Sequence, residues 1–418
     1  MSSWKNLLRR LGPGFITGAA DDDPSGIGTY SQTGAMFGYA HLWLAPYSFP
    51  LMVTVQETCA RIGMVSGRGL SAILKAYYPK WILYASVMLL IVANTINIAA
   101  DLGAMAASMD MLTDLPFALW IVVISALVVL MEVFIDYRHY SSILRFLSFS
   151  LLAYVVTALI VKQDWSLVLT STVVPTLHLD KTSVMNVVAF LGTTISPYLF
   201  FWQSSQEVEE EIVEQHYDIY EQASPRVTPS QVTAMRLDTT WGMAFSHISA
   251  FAIVLTTAAT LNANGITAIE TAPQAAQALR PLAGDLAYLL FALGIIGTGL
   301  LGVPVLAGSS AYAISEAAGW RRGLGEKFRS APLFYAVIAT STLVGLLINF
   351  TGINPMSALY YAAVVNGILA PPLMVVILLI GRNRTIMGPY RSGPLSTTLS
   401  VLGIVLMGSA AVYLLLNW

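Results

Sequence analysis

Eleven apolar stretches divide this chain of 418 residues, and each is about as long as the roughly 20 residues a helix needs to cross the hydrocarbon of a bilayer. Inside lipid every backbone N–H and C=O has to be satisfied within the protein, so only helices and closed barrels span it. Stretches of that length are read as transmembrane helices. Their expected limits are roughly residues 11–38, 41–64, 80–108, 115–135, 141–161, 184–205, 237–262, 281–315, 331–351, 355–380 and 395–416. With 56% hydrophobic and only 11% charged residues, the chain has no stretch rich enough in polar residues to form a sizeable soluble domain. The reading is therefore an all-α integral membrane protein, a single transmembrane domain over residues 1–418 whose environment is the lipid bilayer.

Basic residues test the count, because short cytoplasmic loops collect Lys and Arg. With the N-terminus inside (Lys5, Arg9, Arg10), eighteen of the twenty-one basic residues fall in cytoplasmic segments, the exceptions being Lys162, Lys181 and Arg280. An odd number of spans then puts Trp418 outside. The lone cysteine, Cys59, excludes an internal disulfide and a cysteine metal cage. The first apolar stretch is too long, and too acidic, for a cleaved signal peptide. A formal net charge of −2 gives no reason to expect nucleic acid as a partner, and no obligate protein partner is evident.

The longest polar connection, about Gln206 to Arg236, carries Glu207, Glu209, Glu210, Glu211, Glu214, Asp218 and Glu221 and is expected to be a solvated helix on the cytoplasmic side. Two spans contain a proline directly after an acidic or small polar residue: Asp23-Pro24 in the first and Ser196-Pro197 in the sixth. Proline removes a backbone donor and clashes with the preceding turn, so each helix is expected to break there and to free carbonyls at membrane depth. Broken helices at matching positions of two halves point to a transporter's central site. The implied architecture is a five-plus-five inverted repeat, residues 11–161 and 184–380, with an extra span at 395–416. Gly18, Gly26, Gly28 and Gly192 are expected to give the breaks their freedom to unwind.

The first break lies in AADDDPSGIG, where Asp21, Asp22 and Asp23 stand in a row. A kink needs no carboxylate, whereas a cation site does, and intramembrane carboxylates are costly enough to be functional by default. Hard divalent cations take carboxylate, carbonyl and water oxygens. Asp23, beside the break, is the expected direct ligand, and the Ala20 carbonyl, one turn earlier, an expected helper. Asp21 and Asp22 point elsewhere on the helix, to line an aqueous mouth, to bond neighbouring helices or to be held protonated. The other intramembrane acids are read as Glu57, Asp101 and Asp285. Asn94, Asn97 and Asp101 recur at helical spacing and share a face, which serves packing or conduction. Glu57 and Arg61 are expected to form an i,i+4 ion pair. The five histidines have no metal-ligand spacing, and no nucleophile motif, HExxH helix or cofactor-binding loop is present, so neither an enzyme nor a resident cofactor is expected.

With these residues in place, the sequence resembles the Nramp family of divalent-metal transporters over nearly its whole length. GPGFITGAADDDPSGIGTYSQTGAMFGY stands where that family has a glycine-proline start and an Asp-Pro-Gly-Asn break; ARIGMVSGRGLS, NIAADLGAMA, TTISPYLFF and VVNGILAPPLMVV resemble its second cytoplasmic connection and its third, sixth and tenth spans. The resemblance implies the LeuT-type fold, a bacterial-type inner (plasma) membrane location, and alternating access by rocking of spans 1, 2, 6 and 7. By position it carries over Thr193 as a carbonyl ligand, Ser196, Gly26 and Tyr198 as residues shaping the cavity, and Asn366 as a possible neighbour of the site.

The departures shape the expected substrate. The family's Asp-Pro-Gly-Asn reads Asp23-Pro24-Ser25-Gly26, and its Met-Pro-His reads Ser196-Pro197-Tyr198. A thioether favours softer transition metals, so its loss, with the asparagine replaced by glycine, implies a roomier, harder site suited to partly hydrated Mg²⁺. The family's Asp-Leu-Ala-Glu reads Asp101-Leu102-Gly103-Ala104, which removes a titratable group, as Tyr198 removes another. This constellation is similar to the Nramp-related magnesium transporters and implies uptake of Mg²⁺, and also Mn²⁺, without proton coupling. A divalent cation entering down 100 mV gains about 4.6 kcal/mol, enough for about three decades of accumulation without coupling. The alternative within the family is a proton-coupled Mn²⁺ or Fe²⁺ transporter; a more distant one is a symporter of a small organic solute.

Overall fold

Both expected breaks are present. The computed structural model describes residues 12–113, 115–135, 149–213 and 227–417. Its helices of eight residues or more, numbered along the chain, are α1 (Pro13–Asp21), α2 (Pro24–Phe37), α3 (Leu44–Ser66), α4 (Leu70–Tyr77), α5 (Lys80–Thr113), α6 (Phe117–Phe134), α7 (Leu152–Ile160), α8 (Trp165–Val173), α9 (Lys181–Thr194), α10 (Pro197–Val213), α11 (Pro229–Thr260), α12 (Ala287–Ala318), α13 (Pro332–Ile348), α14 (Pro355–Arg382) and α15 (Pro394–Leu416). The first expected span is α1 and α2, interrupted at Asp22 and Asp23; the sixth is α9 and α10, interrupted at Ile195 and Ser196. In each case the second helix starts on the proline, which supplies a fixed φ where no N–H is needed.

Among the described residues eight helical runs are long and apolar enough to cross a bilayer. They correspond to the third, fourth and sixth to eleventh expected spans. The count of eleven is not reached by that measure, for local reasons. The first span is cut into pieces of 9 and 14 residues. The second, α3, has 23 residues but carries Gln56, Glu57 and Arg61. The fifth lies partly outside the described residues, and its described part, α7, has 9 residues.

The two broken spans lie side by side, with α3 and α11 on one flank and α5, α12 and α14 on the other. Helix association in lipid relies on close packing of small residues, because the hydrophobic effect does not draw one apolar helix to another there. Glycines supply that here. A Cβ added at Gly14 would lie 2.6 Å from Thr239 N, and one at Gly18 would run into the Gly242 backbone, so α1 and α11 are in main-chain contact. Gly192 and Gly367 form the same kind of contact between α9 and α14, and a Cβ at Gly28 would lie 2.6 Å from Leu359 Cδ1, so no side chain fits there. None of Gly18, Gly26, Gly28 and Gly192 has positive φ. Gly18, Gly28 and Gly192 leave no room for a side chain, so at these three the expected freedom to unwind gives way to close approach; a Cβ at Gly26 would come no nearer than 3.2 Å to a neighbour.

Other expectations change as well. The polar connection after the sixth span is not a solvated helix at its start: α10 continues to Val213, and Glu207 and Glu211 are buried. Glu214, Asp218 and Glu221 lie outside the described residues. Asp285 is not an intramembrane acid; it sits on a short turn at Gly284–Leu286, its side chain 97% exposed and facing Arg280 at 3.5 Å. Glu132, which the sequence reading passed over, is buried in α6. Glu57 and Arg61 pair as expected at 2.8 Å, and Arg236 joins them at 2.7 Å.

If backbone contact at small residues holds the two halves of the core together, Gly192→Val forces its side chain into Ala363 and Gly367. That is expected to destabilise the protein by about 1–3 kcal/mol or more, the usual cost of overpacking. Gly393→Ala, with nothing within 4 Å of the added methyl, is the comparison that should leave thermal unfolding of the detergent-purified protein unchanged.

Candidate metal centre

At the first break the chain leaves α1 through Asp22 (φ −84°, ψ 45°) and turns extended at Asp23 (φ −66°, ψ 172°), which caps α2. A capping aspartate accepts from the backbone two or three residues on, and its charge complements the positive end of the helix dipole. Asp23 Oδ1 accepts from Gly26 N at 2.9 Å and from Ser25 Oγ at 2.6 Å. Its other oxygen, Oδ2, accepts from Tyr198 Oη at 3.2 Å. The same phenol donates to the Ala20 carbonyl at 2.9 Å. Tyr198 is the second residue of α10, so its hydroxyl reaches from the second break to the first. All three residues are buried.

The second break closes on itself. Ser196 Oγ donates to the Thr193 carbonyl at 2.7 Å and to the Gly192 carbonyl at 3.0 Å. The Thr193 hydroxyl has no hydrogen-bond partner among the described residues and would lie 3.5 Å from a Cβ at Gly26, so it faces the first break. Gly302 of α12 backs the site, since a Cβ there would be 2.8 Å from Asp23 Cβ. Asp23, Ala20, Gly26, Thr193 and Tyr198 are thus brought together, with Ser196 directly behind.

The secondary candidates divide. Asp101 touches the break: its Oδ1 accepts from Ser25 N at 3.1 Å. Asp21 and Asp22 turn to α11, where Ser246 Oγ lies 2.6 Å from Asp21 Oδ2 and 3.1 Å from Asp22 Oδ1. Of the three roles open to these aspartates, bonding to a neighbouring helix is the one displayed. Asn366 Oδ1 accepts from Asn97 Nδ2 at 2.8 Å, and its own Nδ2 is buried with no hydrogen-bond partner among the described residues. Asn94 Nδ2 meets the Leu306 carbonyl and the Ser309 and Ser310 hydroxyls. The polar stripe on α5 is therefore helix-to-helix glue at Asn94 and Asn97, and reaches the break only at Asp101.

Four carboxyl groups, Asp21, Asp22, Asp23 and Asp101, are buried at this level. Among the described residues none makes an ion pair with a Lys or Arg. No three His, Cys, Asp or Glu side chains there gather into a metal cage. A cation at the break would be held by one carboxylate together with carbonyl and hydroxyl oxygens. The sequence reading missed Ser25, Ser246, Gly302 and Met105. Met105 is the one a spacing argument reaches: it lies one helical turn after Asp101, and both its side chain and Pro24 border the space beside Gly299.

A multi-span helical protein with two broken helices meeting at a buried, uncompensated carboxylate is a membrane transporter, not an enzyme. Residues 14–417 match the family described as natural resistance-associated macrophage protein-like, and the chain belongs to that family, Nramp. It is 25% identical over 421 residues to a protein of Caldanaerobacter subterraneus subsp. tengcongensis named divalent metal cation transporter MntH, covering 99% of this chain and 94% of the relative. A protein of the same name from Deinococcus radiodurans is 25% identical over 394 residues, 92% of this chain and 84% of its own. Among solved structures, the Eremococcus coleocola manganese transporter in complex with an aromatic bis-isothiourea substituted compound superposes with a TM-score of 0.77 at 16% identity, over 98% of this chain and 87% of the other. Mhp1, a nucleobase-cation-symport-1 family transporter, superposes with a TM-score of 0.53 at 14% identity, over 98% and 93%. The fold is the LeuT-type fold implied by the sequence.

Ser246→Ala removes the hydroxyl that two buried carboxyl groups share. It is expected to cost about 1–3 kcal/mol, as for other buried polar groups left unpaired, and to lower the thermal unfolding midpoint of the purified protein. Ser409→Ala, on an exposed hydroxyl of α15, is the control; an equal effect of both would show that the Ser246 bridge contributes nothing.

Proposed function

We propose that the chain is a divalent metal cation transporter that carries Mn²⁺ and Fe²⁺ inward together with protons, in a bacterial-type inner membrane with its N-terminus in the cytoplasm and its C-terminus outside. The observation that carries the reading is the convergence of the Ala20 carbonyl and the Asp23 carboxylate on one point at a helix break, with no basic side chain among the described residues to neutralise them. Asp23 is the principal ligand. Ala20 and Thr193 supply carbonyls, and Ser196, Gly26 and Tyr198 shape the seat of the ion. Asp101, one hydrogen bond from Ser25, is the acid beside that seat for an accompanying proton. The relatives named as divalent metal cation transporters and the fold shared with a manganese transporter support this substrate class. Met105 adds a soft thioether near Pro24, on a different helix from the one where the sequence comparison sought it.

This revises the expectation of Mg²⁺ uptake without proton coupling, for which the comparisons give no support. Magnesium remains the second reading on one observation: Ser196 stands at the second break and spends its hydroxyl on the Gly192 and Thr193 carbonyls, so no thioether reaches the ion from there. An organic-solute symporter is disfavoured by the aspartates at the break, where a substrate carboxylate would be repelled. The repeat halves, residues 11–161 and 184–380 followed by 395–416, are the units proposed to rock against each other during access to either side.

Uptake into proteoliposomes under an imposed potential, with metal and pH dyes inside, separates the readings. Manganese entry that acidifies the lumen, and that falls at least about a hundredfold in Asp23→Ala, is the expected result; a loss of that size corresponds to roughly 2.7 kcal/mol of binding and barrier. Saturable magnesium entry without acidification would establish the second reading instead. Unchanged uptake in Asp23→Ala would remove the site from both.

A further inference from the structure

We propose that the groove between α3, α9 and α15 is a binding site for one acyl chain of a phospholipid, drawn from the leaflet in which α15 ends. No property of the transported ion enters into it.

The three helices touch one another and leave between them a cavity of about 340 Å³. Its walls are aliphatic: Leu44 and Leu51 from α3, Val187 and Leu191 from α9, Leu406 and Ala410 from α15. Five polar side chains border it too, and each has its hydrogen committed to the protein. Trp43 Nε1 donates to the Thr176 carbonyl at 3.1 Å, Tyr47 Oη to the Val173 carbonyl at 2.8 Å and Tyr413 Oη to the Leu179 carbonyl at 2.7 Å. Ser409 Oγ donates to the Leu406 carbonyl at 3.1 Å; Ser48 Oγ donates to the Ala45 carbonyl at 3.2 Å and meets His247 Nε2 at 3.1 Å. A ligand that needed a hydrogen bond would find no unspent donor on these five side chains. What the walls reward is hydrocarbon, through dispersion contacts on three sides.

Size and position select which hydrocarbon. The chain at residues 173–179 crosses one end of the groove, held there by the three aromatic donors and by Thr176 Oγ, which donates to the Ala40 carbonyl at 2.6 Å. Trp and Tyr, with apolar bodies and polar tips, gather at the membrane–water boundary, so this roof marks the headgroup level. From it the groove runs inward along α3 from Trp43 to Leu51, about 12 Å at 1.5 Å per residue. A helix from a second copy is about 10–12 Å across, and that length of it would need several times the volume. A single acyl chain is narrow enough. Access is lateral: Tyr47, Leu177, Leu179 and Leu406 line the groove and are 46% to 73% exposed, continuous with the lipid-facing side of α15 at Val405 and Val412. The bound chain reaches Leu191, whose carbonyl accepts from Ile195 N at 2.8 Å, and so packs against the turn that leads into the second break.

The test places the protein in vesicles of phosphatidylethanolamine and phosphatidylglycerol with a trace of phosphatidylglycerol carrying a diazirine at mid-chain, and maps the photoadducts by peptide mass spectrometry. Leu51, Val187 and Leu191 are expected to carry about fivefold more adduct than Val405 and Val412, a ratio that corresponds to a preference of roughly 1 kcal/mol for the groove. Ser409→Trp, at an exposed position on the edge of the groove, fills it and is expected to remove that excess while Val405 and Val412 label as before. Leu406→Trp is held to the same outcome should the first variant not be recovered folded. Equal labelling of the groove and the outer face, or an excess that survives the filled groove, overturns the proposal. So does a groove shielded from the probe by a second copy, seen as a dimer by light scattering of the purified wild type.

Discussion

The Asp23 carboxylate, buried at a helix break with no basic partner among the described residues, is the constraint on which the surrounding structure depends. Such a group is tolerable only where fixed dipoles are turned toward it. α2 begins directly after it and presents Gly26 N; Ser25 adds a hydroxyl; α10 adds the Tyr198 phenol. None of these donors cancels the charge. The site is therefore stable enough to fold and still attractive to a cation, which a salt bridge with Lys or Arg would have prevented. Proline at the first position of α2 and α10 serves the same end, because it stops each preceding helix where carbonyls have to be left free.

Broken helices cannot hold themselves in register, so the neighbours have to. The α1–α11 and α9–α14 contacts run through glycines that leave no room for a methyl group, which holds α1 and α9 close against their neighbours. Gly302 does the same for α12 at Asp23. On the far flank, the Asn94 and Asn97 amides pin α5 to α12 and α14, and Asp101 extends that flank to the backbone of Ser25. Movement of the broken spans relative to α5 would thus have to break the Asp101–Ser25 bond, while the bonds from Asn94 and Asn97 stay within the flank. The polar residues of one helix face serve two different purposes according to which neighbour they meet.

Much of this was legible in the sequence, and the reasons for the rest are physical. A proline after an acidic or small polar residue in an apolar run announces a break, so the breaks at Asp23-Pro24 and Ser196-Pro197 could be read directly. The i,i+3 and i,i+4 spacing of Asn94, Asn97 and Asp101 gave their shared face but not their partners. Ser246 left no signal, because a single serine in an apolar helix says nothing about an aspartate 225 residues away. Glycines were misread at Gly18 and Gly192, since the same residue serves unwinding and close packing and only the neighbour decides. Asp285 was misread because apolar flanks surround it, whereas Gly284 with φ +54° turns the chain out of the helix before α12 begins.

Substrate choice is the hardest property to read, for a related reason. Selectivity among divalent ions depends on which soft or hard atoms reach the seat of the ion, and those atoms need not come from the segment where a motif places them. Ser196 replaces the expected thioether on the sixth span, yet Met105 brings a sulfur alongside Pro24 from α5. A motif comparison registers the first change and is blind to the second. The loss of a soft ligand at one position therefore does not by itself make the site hard, and the magnesium reading, which was built on that loss, has to compete with a manganese reading built on the whole shell around the break. Tyr198 belongs to that shell as well. Its hydroxyl touches the Ala20 carbonyl and Asp23 Oδ2, so a cation that uses those two oxygens has to displace the phenol or share them with it.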